Sequence, residues 1–209
     1  MIQVKICGIN DAAAFDAAVQ SGADWVGFVF FPPSPRYVTP DQALALSSRS
    51  PSGPPRVGLF VDPAPEDIGR TLDIVPLDIL QLYGAEKHLA EIKRTFGRPI
   101  WRAVGVSAPS DLPAMEDRAD RLLIEAKPPK DATRPGGNSM TFEWRITNDW
   151  KAPVPWILAG GLTPANVAEA IALSGAPAVD VSSGVEASKG VKDPALIRAF
   201  IKAAKGAAD

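Results

Sequence analysis

A single-domain (βα)8 barrel, the TIM-barrel architecture, is the fold class predicted for this chain of 209 residues. Three observations predict it. Short apolar, β-branched runs alternate with segments of helical period along nearly the whole length. Most of these runs lack the in-out alternation of a half-solvated sheet, which marks parallel strands covered on both faces. The turn after the first run reads CGIN, and no G-x-G-x-x-G follows any run, which argues against an open dinucleotide-binding sheet. Such barrels need roughly 200–250 residues, so residues 1–209 suffice for one domain with little decoration.

The strands are expected at 3–7, 25–30, 56–61, 78–83, 99–104, 121–126, 155–159 and 178–182. Helices are expected near 11–21, 41–49, 65–74, 86–95, 110–116, 164–173 and 194–205, the fifth of them weak. Thr39 and Thr163 each precede a proline, pairing an N-cap hydroxyl with a residue that needs no donor. SGAD (21–24) and SGAP (174–177) put glycine where a left-handed C-cap leads into a strand. The proline-rich stretches at 50–55 and 127–137 read as loops within the domain. The segment 127–141 is long for a strand-to-helix connection, and such loops often serve as lids or binding loops.

Composition excludes several classes of function. Apolar residues make up 46% and charged residues 22%, with a formal net charge of −2 and no run of like charge. That leaves no electrostatic footprint for nucleic acid or a membrane surface. No apolar stretch approaches the ~18 residues of a membrane span, and no signal pattern opens the chain. One cysteine forms neither an internal disulfide nor a thiolate cluster, so a cytoplasmic, metal-free protein is expected. The single histidine, His88, falls in a polar helical stretch, which removes any Ser-His-Asp or Cys-His arrangement. The available chemistry is that of carboxylates, a thiol, lysines, arginines and backbone.

Barrel sites are built at the carboxyl ends of strands. Those positions hold Cys7, FPPSPRY (31–37), Asp62, Gln81, Arg102, Glu125 with Lys127, AGGL (159–162) and DVSSGVE (180–186). Gly160, Gly161, Ser183 and Gly184 follow strands 7 and 8, where barrels bind phosphate on backbone N–H groups and a helix terminus. Tight turns alone would also account for the glycines. Cys7 in isolation is a small buried hydrophobe, but it stands at a strand end with Lys5 on the same face at period two. A neighbouring ammonium that lowered the thiol pKa by one unit would raise its ionised fraction at pH 7 from ~3% to about a quarter. Glu125, inside RLLIEA, either pairs with a cation such as Lys5 or Lys127 or performs acid–base work.

With these residues in view, the sequence resembles the phosphoribosylanthranilate isomerases of tryptophan biosynthesis. The resemblance rests on VKICGI, GADWVGFVFFPPSPRYV, VGLFVD, LDILQLYG, GG…TFEW, AGGLTPANV and AVDVSSGVE, and covers essentially the whole chain. It implies a cofactor-free barrel that converts N-(5-phosphoribosyl)anthranilate to 1-(2-carboxyphenylamino)-1-deoxyribulose 5-phosphate by an Amadori rearrangement. By position it implies Cys7 as general base and Glu125 as general acid. It further implies Arg36 on the anthranilate carboxylate, Asp180 near the sugar hydroxyls, and Gly160, Gly161, Ser183 and Gly184 at the phosphate. Two positions depart from the family pattern: Glu125 stands for the usual aspartate and Tyr83 for the usual histidine.

A phosphorylated sugar–anthranilate substrate is thus the expected partner, handled by a monomer. A non-catalytic or different-substrate phosphate-binding barrel is the alternative. A pentulose-phosphate epimerase would use the same glycines but needs a metal-binding His and Asp set. A purely structural role leaves the polar rim unexplained.

Overall fold

The computed structural model describes residues 1–116, 118–127 and 140–207. Its parallel strands are β1 (Gln3–Cys7), β2 (Trp25–Val29), β3 (Arg56–Val61), β4 (Ile79–Tyr83), β5 (Ile100–Val106), β6 (Arg121–Ala126), β7 (Trp156–Leu158) and β8 (Ala178–Val181). They pair in chain order, and β8 returns to β1 to close the barrel. Burial on both faces explains why these runs are almost uniformly apolar.

Register decides what points inward. Lys5 pairs with Trp25 on one side and Asp180 on the other, and Leu59 pairs with Gln81. Alternate residues of each strand therefore fill the barrel. Its amino-terminal end is plugged by Trp25 and Trp101, ring centroids 5.0 Å apart and edge-on. The Arg121 guanidinium lies 4.8 and 5.0 Å from those two centroids, a cation–π contact with both rings. The remaining strand residues face outward beneath the helices. Phe28 there stacks on Phe15 at 6.5 Å, with Phe200 and Ile197 in the same buried cluster. Each such side chain, fully buried, contributes about 1.5–3 kcal/mol.

The helices are α1 (Ala12–Gln20), α2 (Pro40–Ser47), α3 (Pro65–Leu72), α4 (Leu89–Phe96), α5 (Val167–Ser174) and α6 (Pro194–Gly206). Asp11, Thr39 and Asp193 cap α1, α2 and α6 through their side chains, and Thr39 and Gln42 form a capping box. Gly22 and Gly175 take left-handed φ values of 78° and 68°, as their positions before strands require.

Two local expectations are corrected, and one element is added. The weak helix over 110–116 is a single 3-10 turn, Pro109–Asp111. The Asp111 carboxylate accepts from the backbone N–H groups of Ser107 and Ala108, so side-chain capping competes with helix propagation there. Helix α5 begins at Val167 rather than beside Thr163, because Asn166 Oδ1 accepts from the Thr163 N–H and Asn166 Nδ2 donates to the Gly161 carbonyl. A short antiparallel hairpin, β9 (Glu186–Ser188) and β10 (Val191–Lys192), is inserted between β8 and α6. Of the long loop at 127–141, residues 128–139 lie outside the described residues.

Candidate active site

The carboxyl ends of the strands surround a cavity of about 680 Å³, open to solvent and lined by Cys7, Arg36, Tyr83, Glu125, Gly160, Gly161, Asp180, Ser182 and Ser183 among others. Cys7 is the last residue of β1 and Glu125 the penultimate residue of β6, so the fold brings thiol and carboxyl to one mouth.

Beneath the mouth runs a buried charge network. Lys5 Nζ donates to Asp180 Oδ1 at 2.9 Å. Burial works against the Lys5 ammonium, but Asp180 and Cys7 outweigh it and hold its pKa above the usual value. Space for this comes from Gly27 on β2, where an added Cβ would lie 3.1 Å from both Cys7 Sγ and Lys5 Nζ.

The ammonium does not decide the state of the thiol. Burial pushes its pKa up by more than Lys5 pulls it down, and the Asp180 carboxylate adds to the rise. The resting residue is therefore a thiol, with an ammonium in reach to stabilise a thiolate once one forms.

Glu125 is also driven by burial, and its pKa rises to about 8. The nearby Tyr83 hydroxyl and the Lys5 charge lower it only in part, while Asp180 raises it further. Tyr83 is itself pushed well above its ordinary value, first by burial and then by Glu125, and so remains a donor. Most Glu125 carboxyls carry a proton at neutral pH. Lys127 is not its partner: Lys127 Nζ donates instead to Asp111 Oδ1 at 2.5 Å, half-exposed on the outer rim.

Arg36 enters the cavity from the loop after β2 and is itself buried. Its Nε and Nη2 donate to Glu186 Oε1 and Oε2 at 2.5 and 3.0 Å. Its stem passes over Gly8, whose φ is 72° and where a Cβ would come within 2.7 Å of Arg36 Cδ.

Gly160 and Gly161 follow β7 with left-handed φ values of 88° and 64°, and they line the cavity beside Ser182 and Ser183. Ser183 opens a 3-10 turn, Ser183–Val185, after β8. Gly184 follows Ser183 in that turn. It does not line the cavity; a Cβ there would run into the Leu162 carbonyl oxygen, so this glycine lets the loop after β8 pack on the loop after β7.

Two rim candidates, Arg102 and Gln81, are not among the residues that line the cavity, and His88 lies on a helix away from it. Arg102 faces outward and donates to Glu116 at 2.7 Å. His88 stands at the start of α4, substantially exposed, with Nδ1 3.6 Å from Glu91. Gln81 points inward, fully buried, and neither of its carboxamide atoms has a protein partner among the described residues. Sequence reading missed the roles of Glu186 and Lys192. The turn-forming SKG at 188–190, between two valine-flanked charges, was the available signal. Among the described residues, no group of three His, Cys, Asp or Glu side chains is arranged to hold a metal ion.

Comparison with known proteins points to one family. Residues 4–203 match the family model described as N-(5'phosphoribosyl)anthranilate (PRA) isomerase. The N-(5'-phosphoribosyl)anthranilate isomerase of Paramagnetospirillum magneticum is 54% identical over 98% of both chains, and that of Paracoccus denitrificans 55% identical over 96% of this chain and 95% of the relative. The solved phosphoribosyl anthranilate isomerase of Thermotoga maritima is 39% identical, covers 99% of this chain with 100% of its own, and superposes with a TM-score of 0.86. Another solved phosphoribosyl anthranilate isomerase is in complex with reduced 1-(o-carboxyphenylamino)-1-deoxyribulose 5-phosphate. It is 38% identical over 99% of this chain and 100% of its own, with a TM-score of 0.83. This chain belongs to the N-(5'-phosphoribosyl)anthranilate isomerase family.

Proposed function

We propose that the chain performs its family's isomerisation with Glu125 as general acid and Cys7 as general base. The observation that carries this assignment is the meeting of a carboxyl that burial keeps protonated and a thiol at one cavity mouth. Glu125 gives its proton to the ring oxygen of N-(5'-phosphoribosyl)anthranilate as the bond from that oxygen to C1 breaks. The nitrogen lone pair moves in to form a cationic Schiff base, and the ring oxygen becomes a hydroxyl. That cation, held near Cys7, offsets the burial that keeps the thiol protonated. The thiol gives its proton to solvent at the open mouth, and the thiolate, assisted by Lys5, takes the proton from C2 as the electron pair closes onto the iminium to give an enolamine. Solvent supplies a proton at C1 and the enol proton passes to the Glu125 carboxylate, which gives the ketone product and restores both residues.

The substrate is anionic at both ends, and the site has a matching feature for each. Arg36 receives the aromatic carboxylate. The backbone at Gly160, Gly161 and Ser183 receives the phosphate, with Gly184 fixing the shape of that turn. Asp180 orients the sugar hydroxyls from its place beside Lys5. Every group in this scheme belongs to one chain, an arrangement compatible with action as a monomer, with residues 1–209 as one domain. The lone unpaired thiol suits the reducing cytoplasm.

The test is turnover of phosphoribosylanthranilate, followed by loss of anthranilate fluorescence, with wild type and Cys7→Ala side by side. Wild-type turnover that drops at least about 100-fold in the variant supports the assignment. Steady binding without signal loss in wild type would mark a binding protein, and equal rates would remove Cys7 from the chemistry.

A further inference from the structure

The hairpin β9–β10 has no part in the acid–base scheme, yet it delivers two buried charges to the rim. Glu186 stands on β9 opposite Lys192 on β10. The Glu186 carboxylate is fully engaged. Oε1 accepts from Arg36 Nε and from Lys192 Nζ at 3.1 Å, and Oε2 from Arg36 Nη2 and the Gly190 N–H at 3.0 Å. Lys192 Nζ also donates to the Ser182 carbonyl at 2.7 Å and reaches the Ser182 hydroxyl at 3.3 Å, tying the hairpin to the end of β8. The turn is docked as well. Asn10 Nδ2 donates to the Gly190 carbonyl at 2.8 Å, and Gly190 sits so close to Pro35 that a Cβ would come within 2.6 Å of its carbonyl oxygen.

This arrangement fixes one edge of the guanidinium. Of the five N–H donors of Arg36, Glu186 takes one on Nε and one on Nη2, leaving three, including both on Nη1. We infer that Glu186 is a positioning residue that turns the free edge of Arg36 toward the cavity to receive the aromatic carboxylate of the substrate, with Lys192 holding Glu186 in place. The inference rests on the reading of Arg36 given above. The net charge of the trio is +1, from two cations and one anion. Burial lowers the Lys192 pKa to about 8, which still leaves it mostly cationic at pH 7. For Glu186, burial works to raise the pKa, but Arg36 and Lys192 outweigh it and keep the carboxylate ionised.

Charge and orientation predict opposite outcomes when Glu186 is neutralised. Glu186→Gln leaves two cations without their counter-charge. If Glu186 only balanced charge, a ligand carboxylate would bind more tightly. If it positions Arg36, the amide sets an N–H donor against the donors of Arg36, Lys192 or Gly190, the guanidinium turns away, and binding weakens.

The experiment measures the affinity of wild type and Glu186→Gln for two ligands. One is reduced 1-(o-carboxyphenylamino)-1-deoxyribulose 5-phosphate, and the other is its counterpart lacking the ring carboxyl. The expected result is about tenfold weaker binding of the first ligand by the variant, with the second within about twofold of wild type. Most of the loss in kcat/KM should fall on KM. Tighter or unchanged binding of the carboxylated ligand, or equal weakening of both, overturns the inference. Should Glu186→Gln fail to fold, Lys192→Met gives the same selective loss if the inference holds and a non-selective one if it does not. Wild type that neither turns over substrate nor prefers the carboxylated ligand defeats the underlying reading. A carboxylate preference lost in Arg36→Met but intact in Glu186→Gln defeats the Glu186 assignment alone.

Discussion

Lys5 and Asp180 close the barrel with a buried ion pair, 2.9 Å from Nζ to Oδ1, across the seam where the last strand meets the first. The Lys5 side chain has no exposed surface and that of Asp180 only 9%. Removing one partner strands the other, which typically costs about 3–5 kcal/mol, whereas replacing both by apolar groups is often neutral. Lys5→Met should therefore lower unfolding stability by that amount in a urea titration. Lys5→Met combined with Asp180→Leu should recover most of it while remaining inactive. A double variant no more stable than the single would show that the pair contributes more than mutual neutralisation.

Glu125 sets a pH dependence with a definite sign. Its pKa rises from 4.5 to about 8 in the folded state, so folding favours the protonated form. The associated stability is fully present below pH 4.5 and is lost as pH rises through 8. Glu125→Gln should match wild type in stability at pH 5 and exceed it by a few kcal/mol at pH 9. Wild-type activity should decline on the alkaline side as the acid ionises. Glu125→Ala should abolish turnover, and Glu125→Asp should keep or raise it. Parallel stability curves for wild type and Glu125→Gln from pH 5 to 9 would contradict the burial argument.

The thiol of Cys7 is buried and raised in pKa, and alkylation proceeds through the thiolate. Iodoacetamide should therefore modify Cys7 more slowly than free cysteine at pH 7–8. The gap should narrow toward pH 10, and bound product analogue should protect further. Modification faster than that of free cysteine at pH 7 would mean an activated thiolate at rest.

Gly184 tests packing at the proposed phosphate turn. An added methyl meets the Leu162 backbone rather than a yielding side chain. Gly184→Ala should cost about 1–3 kcal/mol of stability, the usual range for overpacking. It should also raise KM for the phosphorylated substrate by displacing the turn that holds Ser183. An unaltered melting temperature and KM would show that the two loops separate without penalty.

The sequence by itself determined the eight barrel strands and six of the helices, in order. Strand runs, the cap at Thr39, and the glycines at 22 and 175 are local codes, because periodicity, capping and positive φ depend on residues a few positions apart. The convergence of Cys7 and Glu125 was legible for the same reason, since closing a barrel brings strand ends together whatever their distance in the chain. Charge partnerships were not legible. Lys5 meets Asp180 across 175 positions and Arg36 meets Glu186 across 150, while Lys127, a nearer candidate for Glu125, turns outward to Asp111. The direction of the Cys7 shift also lay beyond reach, because burial and a neighbouring ammonium pull oppositely and only the packed interior decides which is larger. Tertiary structure alone settled both, since ion pairing and desolvation depend on which distant groups share one water-poor space.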